Sequence, residues 1–260
     1  MLKLLRRMAV SFSLYSRIPM PRFAWDAEDM KYSMLFFPLV GFVIGGAVLG
    51  INCIPGVPEL PLSVRSAVTV LIPILITGGF HLDGFMDTED ALRSYQSKEK
   101  KLEIMKDPHT GAFAVIGLAA CLLAMSAATG TILTYGSRWT WGVLGLIYAA
   151  GRAYGGISAL LLPGAKKDGM LAEETRGEKR NLLTVLLLWL ALATVMMIAA
   201  DTWAGIAVTV CFLLCMVRYG RMTKREFGGV TGDTTGYFIT CSETAACIVL
   251  ALVVWLSRRG

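Results

Sequence analysis

The chain has 260 residues, 55% of them hydrophobic and 17% charged, and its mean hydropathy is +0.60. That balance excludes a water-soluble domain and points to an all-α integral membrane protein, a polytopic helical bundle. The net charge of +6 is ordinary for a protein facing anionic lipid; it calls for no nucleic acid, although it would also suit phosphorylated substrates.

The N-terminal segment carries Lys3, Arg6, Arg7, Arg17, Arg22 and Lys31. Arg17 and Pro19 interrupt it before a long apolar run develops, so it reads as a basic amphipathic lead-in lying in the interface and not as a cleavable signal. Apolar runs then predict spans at 33–51, 62–80, 112–134, 139–162, 181–200, 203–217 and 239–256, seven in all, with 203–217 short. No polar segment between them is long enough for a soluble domain, and no internal repeat is evident, so residues 1–260 form a single membrane domain. Alternation of the spans puts four basic segments on one side: the N-terminus, the loop with Arg93, Lys98, Lys100, Lys101 and Lys106, the loop with Lys166, Lys167, Arg176, Lys179 and Arg180, and the segment with Arg218, Arg221, Lys224 and Arg225. That side is expected to be cytoplasmic. The opposite loops hold only Arg65 and Arg138, while Arg258 and Arg259 at the C-terminus run against the rule. The six cysteines form no C-x-x-C pair and read as small core residues.

Chemistry therefore has to come from helix ends and polar loops. Residues 78–90 read Gly-Gly-Phe-His-Leu-Asp-Gly-Phe-Met-Asp-Thr-Glu-Asp. On a helix, Asp83, Asp87 and Asp90 fall within about 60° of one face. Three like charges so close drive one another toward the protonated form, and a hard divalent cation, Mg²⁺ or Mn²⁺, relieves that repulsion. The competing reading is the acidic first turn that helices favour. His81 stands just ahead of the cluster, with an imidazole suited to accepting a proton near neutral pH or to a supporting role. Lys106 and Asp107 precede Pro108, His109 and Gly111; there Asp107 is a further candidate metal ligand and Lys106 a candidate phosphate contact, against a plain helix cap.

Arg152 lies inside an apolar span and should face the protein interior, pairing with a carboxylate or a bound phosphate. The Lys166-Lys167-Asp168-Gly169-Met170 turn carries no specific signal. Gly228-Gly229-Val230-Thr231-Gly232-Asp233-Thr234-Thr235-Gly236 forms a Gly-rich loop ahead of Glu243, able to cradle phosphate through its backbone. It lacks the Gly-Lys-Ser/Thr ending of a P-loop.

Gly78-Gly79-Phe80-His81-Leu82-Asp83-Gly84, Asp87-Thr88, Asp90, Ile104-Met105-Lys106-Asp107 and Thr231-Gly232-Asp233-Thr234 together resemble the cobalamin synthase family, the adenosylcobinamide-GDP ribazoletransferases. Arg17-Ile18-Pro19-Met20-Pro21 and Phe37-Pro38-Leu39-Val40-Gly41 extend the resemblance over essentially the whole chain. The resemblance implies a Mg²⁺-dependent, multi-pass enzyme of the cell inner membrane with its active site facing the cytoplasm. It would join adenosylcobinamide-GDP to α-ribazole, or its 5′-phosphate, and release GMP. Its partners would be those two substrates and the lipid bilayer; the sequence does not fix whether the chain forms a homo-oligomer.

In that reaction Asp83, Asp87 and Asp90 hold the metal, with Asp107 as a further ligand and His81 as the proton acceptor. Lys106 and Arg152 face the donor diphosphate, Arg152 as a guanidinium that no carboxylate fully neutralises. Thr231, Gly232 and Asp233 close the metal or ribose side, with Glu243 beyond them. Three positions depart from the family pattern: Ala91 where Gly is usual, His109 where Arg is common, and Thr240 where an acidic residue is frequent. The second puts an anion role for the 106–111 turn in doubt, and the third a full metal motif across 233–243.

Two other readings start from the same residues. A CDP-alcohol phosphotransferase also uses membrane-embedded aspartates and a nucleotide diphosphate donor, but its pattern continues Ala-Arg, where this chain has Asp87-Thr88. An ion-coupled transporter also places carboxylates and an Arg in helices; it commonly shows repeated halves and a midplane site, whereas the acidic residues here crowd one face.

Overall fold

The computed structural model describes residues 2–165, 170–175 and 178–258. Lys166, Lys167, Asp168, Gly169, Arg176 and Arg259 lie outside the described residues. The named elements of the described residues are all helical: α1 (Leu2–Tyr15), α2 (Ala27–Lys31), a 3₁₀ turn at Ser33–Phe36, α3 (Phe37–Cys53), α4 (Leu62–Thr77), α5 (Phe80–Arg93), α6 (Lys98–Ile104), α7 (Ala112–Tyr135), α8 (Arg138–Leu161), α9 (Met170–Glu174), α10 (Lys179–Ala200), α11 (Thr202–Glu226) and α12 (Gly232–Ser257). In lipid a helix satisfies every backbone group internally, which is why apolar sequence of this length takes that form.

Six of these helices, counting the 3₁₀ turn with α3, are long and apolar enough to cross a membrane; α4 and α5 together make a seventh candidate, bent by 95°. The single span expected at 62–80 is therefore broken. Gly78 and Gly79 adopt positive φ, 69° and 83°, a conformation that costs a glycine little and other residues more, and the chain turns there. The span expected to be short, 203–217, runs instead to Glu226 as the 25-residue α11. Its C-terminal part carries Arg218, Arg221, Lys224 and Arg225, basic residues that break the apolar pattern, and Lys224 and Arg225 in the last turn favour a helix C-terminus. Likewise α12 begins at Gly232, well before the apolar run, because Thr231 and Thr234 cap it reciprocally.

The bundle is organised around α8, whose membrane window is wholly buried and which packs on α3, α10, α11 and α12. At the α3–α8 crossing Gly45 and Gly145 meet so closely that a side chain on either would strike the other's backbone; small residues of this kind let membrane helices approach. Beside this core, α5 packs on α12 and α7, which sets the functional face. The amphipathic α1 packs along α3 and the 3₁₀ turn, tied at its N-terminal half by two Arg6 Nε bonds to the Asp29 carboxylate, 2.9 and 2.8 Å.

Candidate functional site

Two faces of α5 have separate tasks. His81, Gly84, Phe85, Thr88, Glu89 and Ala91 are buried, while Asp83 is exposed and Asp87 and Asp90 are half-buried. The N-terminal turn of α12 lies directly on this helix: a Cβ on Gly84 would sit 2.8 Å from the Cα of Asp233. Asp233 thus joins the α5 aspartates. Asp87, one turn further along α5 than Asp83, is half-buried on the same face.

The remaining expected metal ligands are engaged elsewhere. Both Asp90 oxygens accept backbone N–H groups at the start of α7, from Gly111 at 2.6 Å and Ala114 at 2.8 Å. Gly111 offers no side chain for that task, so Asp90 caps the helix from across the bundle. Asp107 turns onto the adjacent His109, accepting its backbone N–H at 2.9 Å with the ring Nδ1 at 2.7 Å; the bonds from His109 hold its carboxyl low. Among the described residues no trio of His, Cys, Asp and Glu side chains closes to metal-ligating geometry. The donor chemistry of Asp83, Asp87 and Asp233 nevertheless fits a hard cation, since all three offer carboxylate oxygens and the Asp233 backbone lies against Gly84 on α5.

An open groove of about 540 Å³ runs beside Asp83, lined also by Ser16, Arg17, Gly78, Gly79 and Phe80. The Arg17 backbone N–H donates to the Ile76 carbonyl at 2.7 Å, and its side chain crosses Gly78, where a Cβ would collide with it. A cation and a carboxylate therefore share one accessible wall at the start of α5, whose amides have no side-chain cap. Reading charge for topology alone hides Arg17; its place in the Arg17-Ile18-Pro19 tract was the available signal. Lys106 is exposed, in the turn between α6 and α7 whose far end Asp90 ties to α5.

His81, Arg152 and Glu243 form a different, buried group. Two positions before Asp83 is about 160° away round the helix, so His81 faces the core and not the aspartates. It is 7% exposed, and its Nε2 has no hydrogen-bond partner. That placement does not suit a base acting at the aspartate cluster. Arg152 is 1% exposed and donates through Nη1 to Glu243 Oε1 at 2.8 Å and to the Tyr148 carbonyl at 2.9 Å. Of the two partners the sequence allows, carboxylate or phosphate, a carboxylate stands beside Arg152, while its Nε is buried without a hydrogen-bond partner. Glu243 lies three turns into α12, remote from the Gly-rich turn that precedes it.

That turn is fixed by short contacts. Val230 N–H donates to the Pro163 carbonyl at 2.8 Å and its own carbonyl accepts from Ala165 at 2.9 Å. Thr231 caps α12, its hydroxyl accepting from Thr234 N–H at 3.1 Å. Gly232, the first residue of α12, has open space where a side chain would stand. The loop thus presents Thr231, Gly232 and Asp233 at a capped helix start, turned toward α5.

The profile of the cobalamin-5-phosphate synthase family matches residues 7–251. Among curated proteins, the adenosylcobinamide-GDP ribazoletransferase of Lachnoclostridium phytofermentans is 34% identical over 96% of this chain and 95% of its own length. That of Pseudomonas syringae pv. syringae is 35% identical over 93% and 95%, and that of Clostridium botulinum 31% over 94% and 96%. No solved structure matches. The matched span contains the α5 aspartates, Arg17, the Thr231–Asp233 turn and the buried Arg152–Glu243 pair alike, and on that whole-chain correspondence the chain belongs to the cobalamin-5-phosphate synthase family.

Proposed function

We propose that the protein is a membrane-embedded adenosylcobinamide-GDP ribazoletransferase whose reaction takes place where the start of α12 meets the exposed face of α5. The observation that carries this reading is the approach of the Asp233 backbone to the α5 helix that bears Asp83 and Asp87, beside a groove that also holds Arg17. A hydroxyl oxygen on the ribose of α-ribazole, or its 5′-phosphate, forms a new bond to the phosphorus that bears the cobinamide arm. The bond from that phosphorus to the bridging oxygen breaks, GMP leaves with the electron pair, and the hydroxyl proton is released.

Asp83, Asp87 and Asp233 would hold Mg²⁺, which when bound neutralises charge growing on the phosphoryl oxygens. Arg17 at the groove wall and Lys106 on the α6–α7 turn supply positive charge for the donor diphosphate. Thr231 and Gly232 keep the Asp233 turn rigid. Asp90 holds α7 against α5, so that the carboxylate face does not shift during turnover. Membrane insertion of the apolar helices, with the basic segments toward the cytoplasm of the inner membrane, would place this groove where nucleotide substrates occur.

The test is direct: purified protein in detergent, with adenosylcobinamide-GDP, α-ribazole and Mg²⁺, should release GMP and a cobamide resolved by chromatography. EDTA should abolish the release and added Mg²⁺ restore it. Asp83→Asn and Asp87→Asn should each lose about 10² or more in kcat/KM while remaining in the membrane fraction. Undiminished GMP release in EDTA, or full activity in both variants, would overturn the assignment.

A further inference from the structure

The bend between α4 and α5 holds two adjacent glycines in nearly the same backbone conformation, and only one of them meets another part of the chain. Gly78 and Gly79 have φ of 69° and 83°. A Cβ added at Gly79 would find nothing within 4 Å, so that position needs glycine for its φ alone. A Cβ at Gly78 would lie 2.8 Å from Cδ and 2.9 Å from Cγ of Arg17, with Nε closer still. Backbone strain is therefore common to the pair, and contact with Arg17 belongs to Gly78.

Arg17 has little freedom to answer such an intrusion through its backbone. Its N–H donates to the Ile76 carbonyl at 2.7 Å, two residues before Gly78. Ser16 is tied back to the end of α1, its N–H and its hydroxyl both donating to the Phe12 carbonyl, at 2.9 and 2.6 Å. The same hydroxyl accepts the Ile18 N–H at 3.3 Å. The chain around Arg17 is thus fixed to α1 and to the last turn of α4, which leaves the side chain to move. The contact falls on its stem, Cγ, Cδ and Nε, and not on its tip. Relief needs a change of rotamer close to Cα, which swings the whole guanidinium away from the groove wall it shares with Asp83.

We propose that Gly78 is a positioning residue for the reaction: its missing side chain leaves the path along which Arg17 reaches the groove, so the α4–α5 bend sets where the cation meets the donor. The inference rests on the ribazoletransferase reading, which gives Arg17 the donor diphosphate. Gly78 touches no substrate in this scheme and acts through Arg17. One bend then carries Asp83 to the groove and seats the arginine of the N-terminal segment against the same wall.

The experiment uses the full chain in detergent, with Gly78→Ala and Gly79→Ala as a matched pair, each also combined with Arg17→Ala. Both glycine variants carry a Cβ at positive φ and should lower the melting temperature alike. Gly78→Ala should raise the KM for adenosylcobinamide-GDP about tenfold or more above that of Gly79→Ala, with the KM for α-ribazole the same in the two. With Arg17→Ala already present, the Gly78 change should add no further rise in donor KM, because the side chain it displaces is gone; the Gly79 change should keep whatever effect it has alone. Gly78→Asn, whose Cβ meets Arg17 in the same way but which tolerates the left-handed region better, should repeat the result with a smaller loss of stability. Equilibrium dialysis of adenosylcobinamide-GDP gives the same comparison without turnover. If wild type binds the donor with this split but releases no GMP, the enzymatic reading fails while the positioning role stands. If wild type turns over and the two glycine variants share one donor KM, or the Gly78 and Arg17 effects simply add, or neither Gly78 variant folds, the positioning role is overturned and the enzymatic reading is untouched.

Discussion

At the scale of single residues, the buried pair Arg152–Glu243 separates an ionic core contact from a substrate contact. Both partners are sealed from solvent, Arg152 at 1% and Glu243 at 7% exposure, and each compensates the other's lost hydration. Removing one partner strands a charge in an apolar interior. Arg152→Ala and Glu243→Ala should therefore each destabilise the protein by roughly 3–5 kcal/mol, whereas Arg152→Met combined with Glu243→Leu should recover most of the loss. Thermal unfolding of the three variants checks this; single variants with wild-type melting temperatures and a raised donor KM would return Arg152 to the diphosphate. Glu174 gives a second residue-level signature, because burial pushes its carboxyl up to about 7 from an ordinary 4.5, partly opposed by bonds from Tyr15 and Ser33. Between those values the folded protein binds more protons than the unfolded chain, so its stability falls as pH rises through that window. Glu174→Gln should flatten the dependence of melting temperature on pH between 4.5 and 7. An unchanged slope in the variant would show that Glu174 does not carry the effect.

At the scale of elements, the α5–α12 contact decides whether Asp233 reaches the α5 carboxylates. Any Cβ at position 84 must push the Asp233 backbone away, since it would lie 2.8 Å from its Cα and carbonyl oxygen. Gly84→Ala should cut kcat/KM about tenfold or more, and Gly84→Val further, with normal membrane insertion and intact α1 to α4 packing. An activity assay on membranes checks this, and a fully active Gly84→Val would mean that Asp233 has no part in the reaction. The aspartate face itself was legible in the sequence, because offsets of four and three residues define a helix face without reference to anything else. So were the spans at 112–134, 139–162 and 181–200, each matched within a few residues by α7, α8 and α10. The break between α4 and α5 was not, because periodicity cannot separate a Gly-Gly lead-in from a Gly-Gly bend. Nor could it give the partner of Arg152, which stands 91 positions away, or the capping role of Asp90, whose N–H donors belong to another helix.

At the scale of the whole molecule, the bent α4–α5 pair fixes the topology, because every later loop changes side according to whether that pair crosses. If it crosses, the basic residues after α5, Lys98, Lys100, Lys101 and Lys106, share a side with Arg6, Arg7 and Arg17, and the later segments carrying Lys179, Arg180, Arg221 and Arg225 fall on that side too. If it is re-entrant, the chain returns to the side from which α4 began, and the 94–111 loop is separated from the N-terminal basic segment against the charge rule. Crossing is the consistent choice, with the bend placed near the interface where α5 turns its charged face to water. Single cysteines at Ser97, Ala172 and Gly228 should therefore label only with a membrane-permeant maleimide in intact cells, and cysteines at Val57 and Ser137 with an impermeant one. Cys53, exposed at the end of α3, has to be replaced by Ser first, because it lies on the side expected to label. Impermeant labelling at position 97 would make the pair re-entrant, reverse the assignment of every loop after it, and put the carboxylate face across the membrane from its nucleotide substrates.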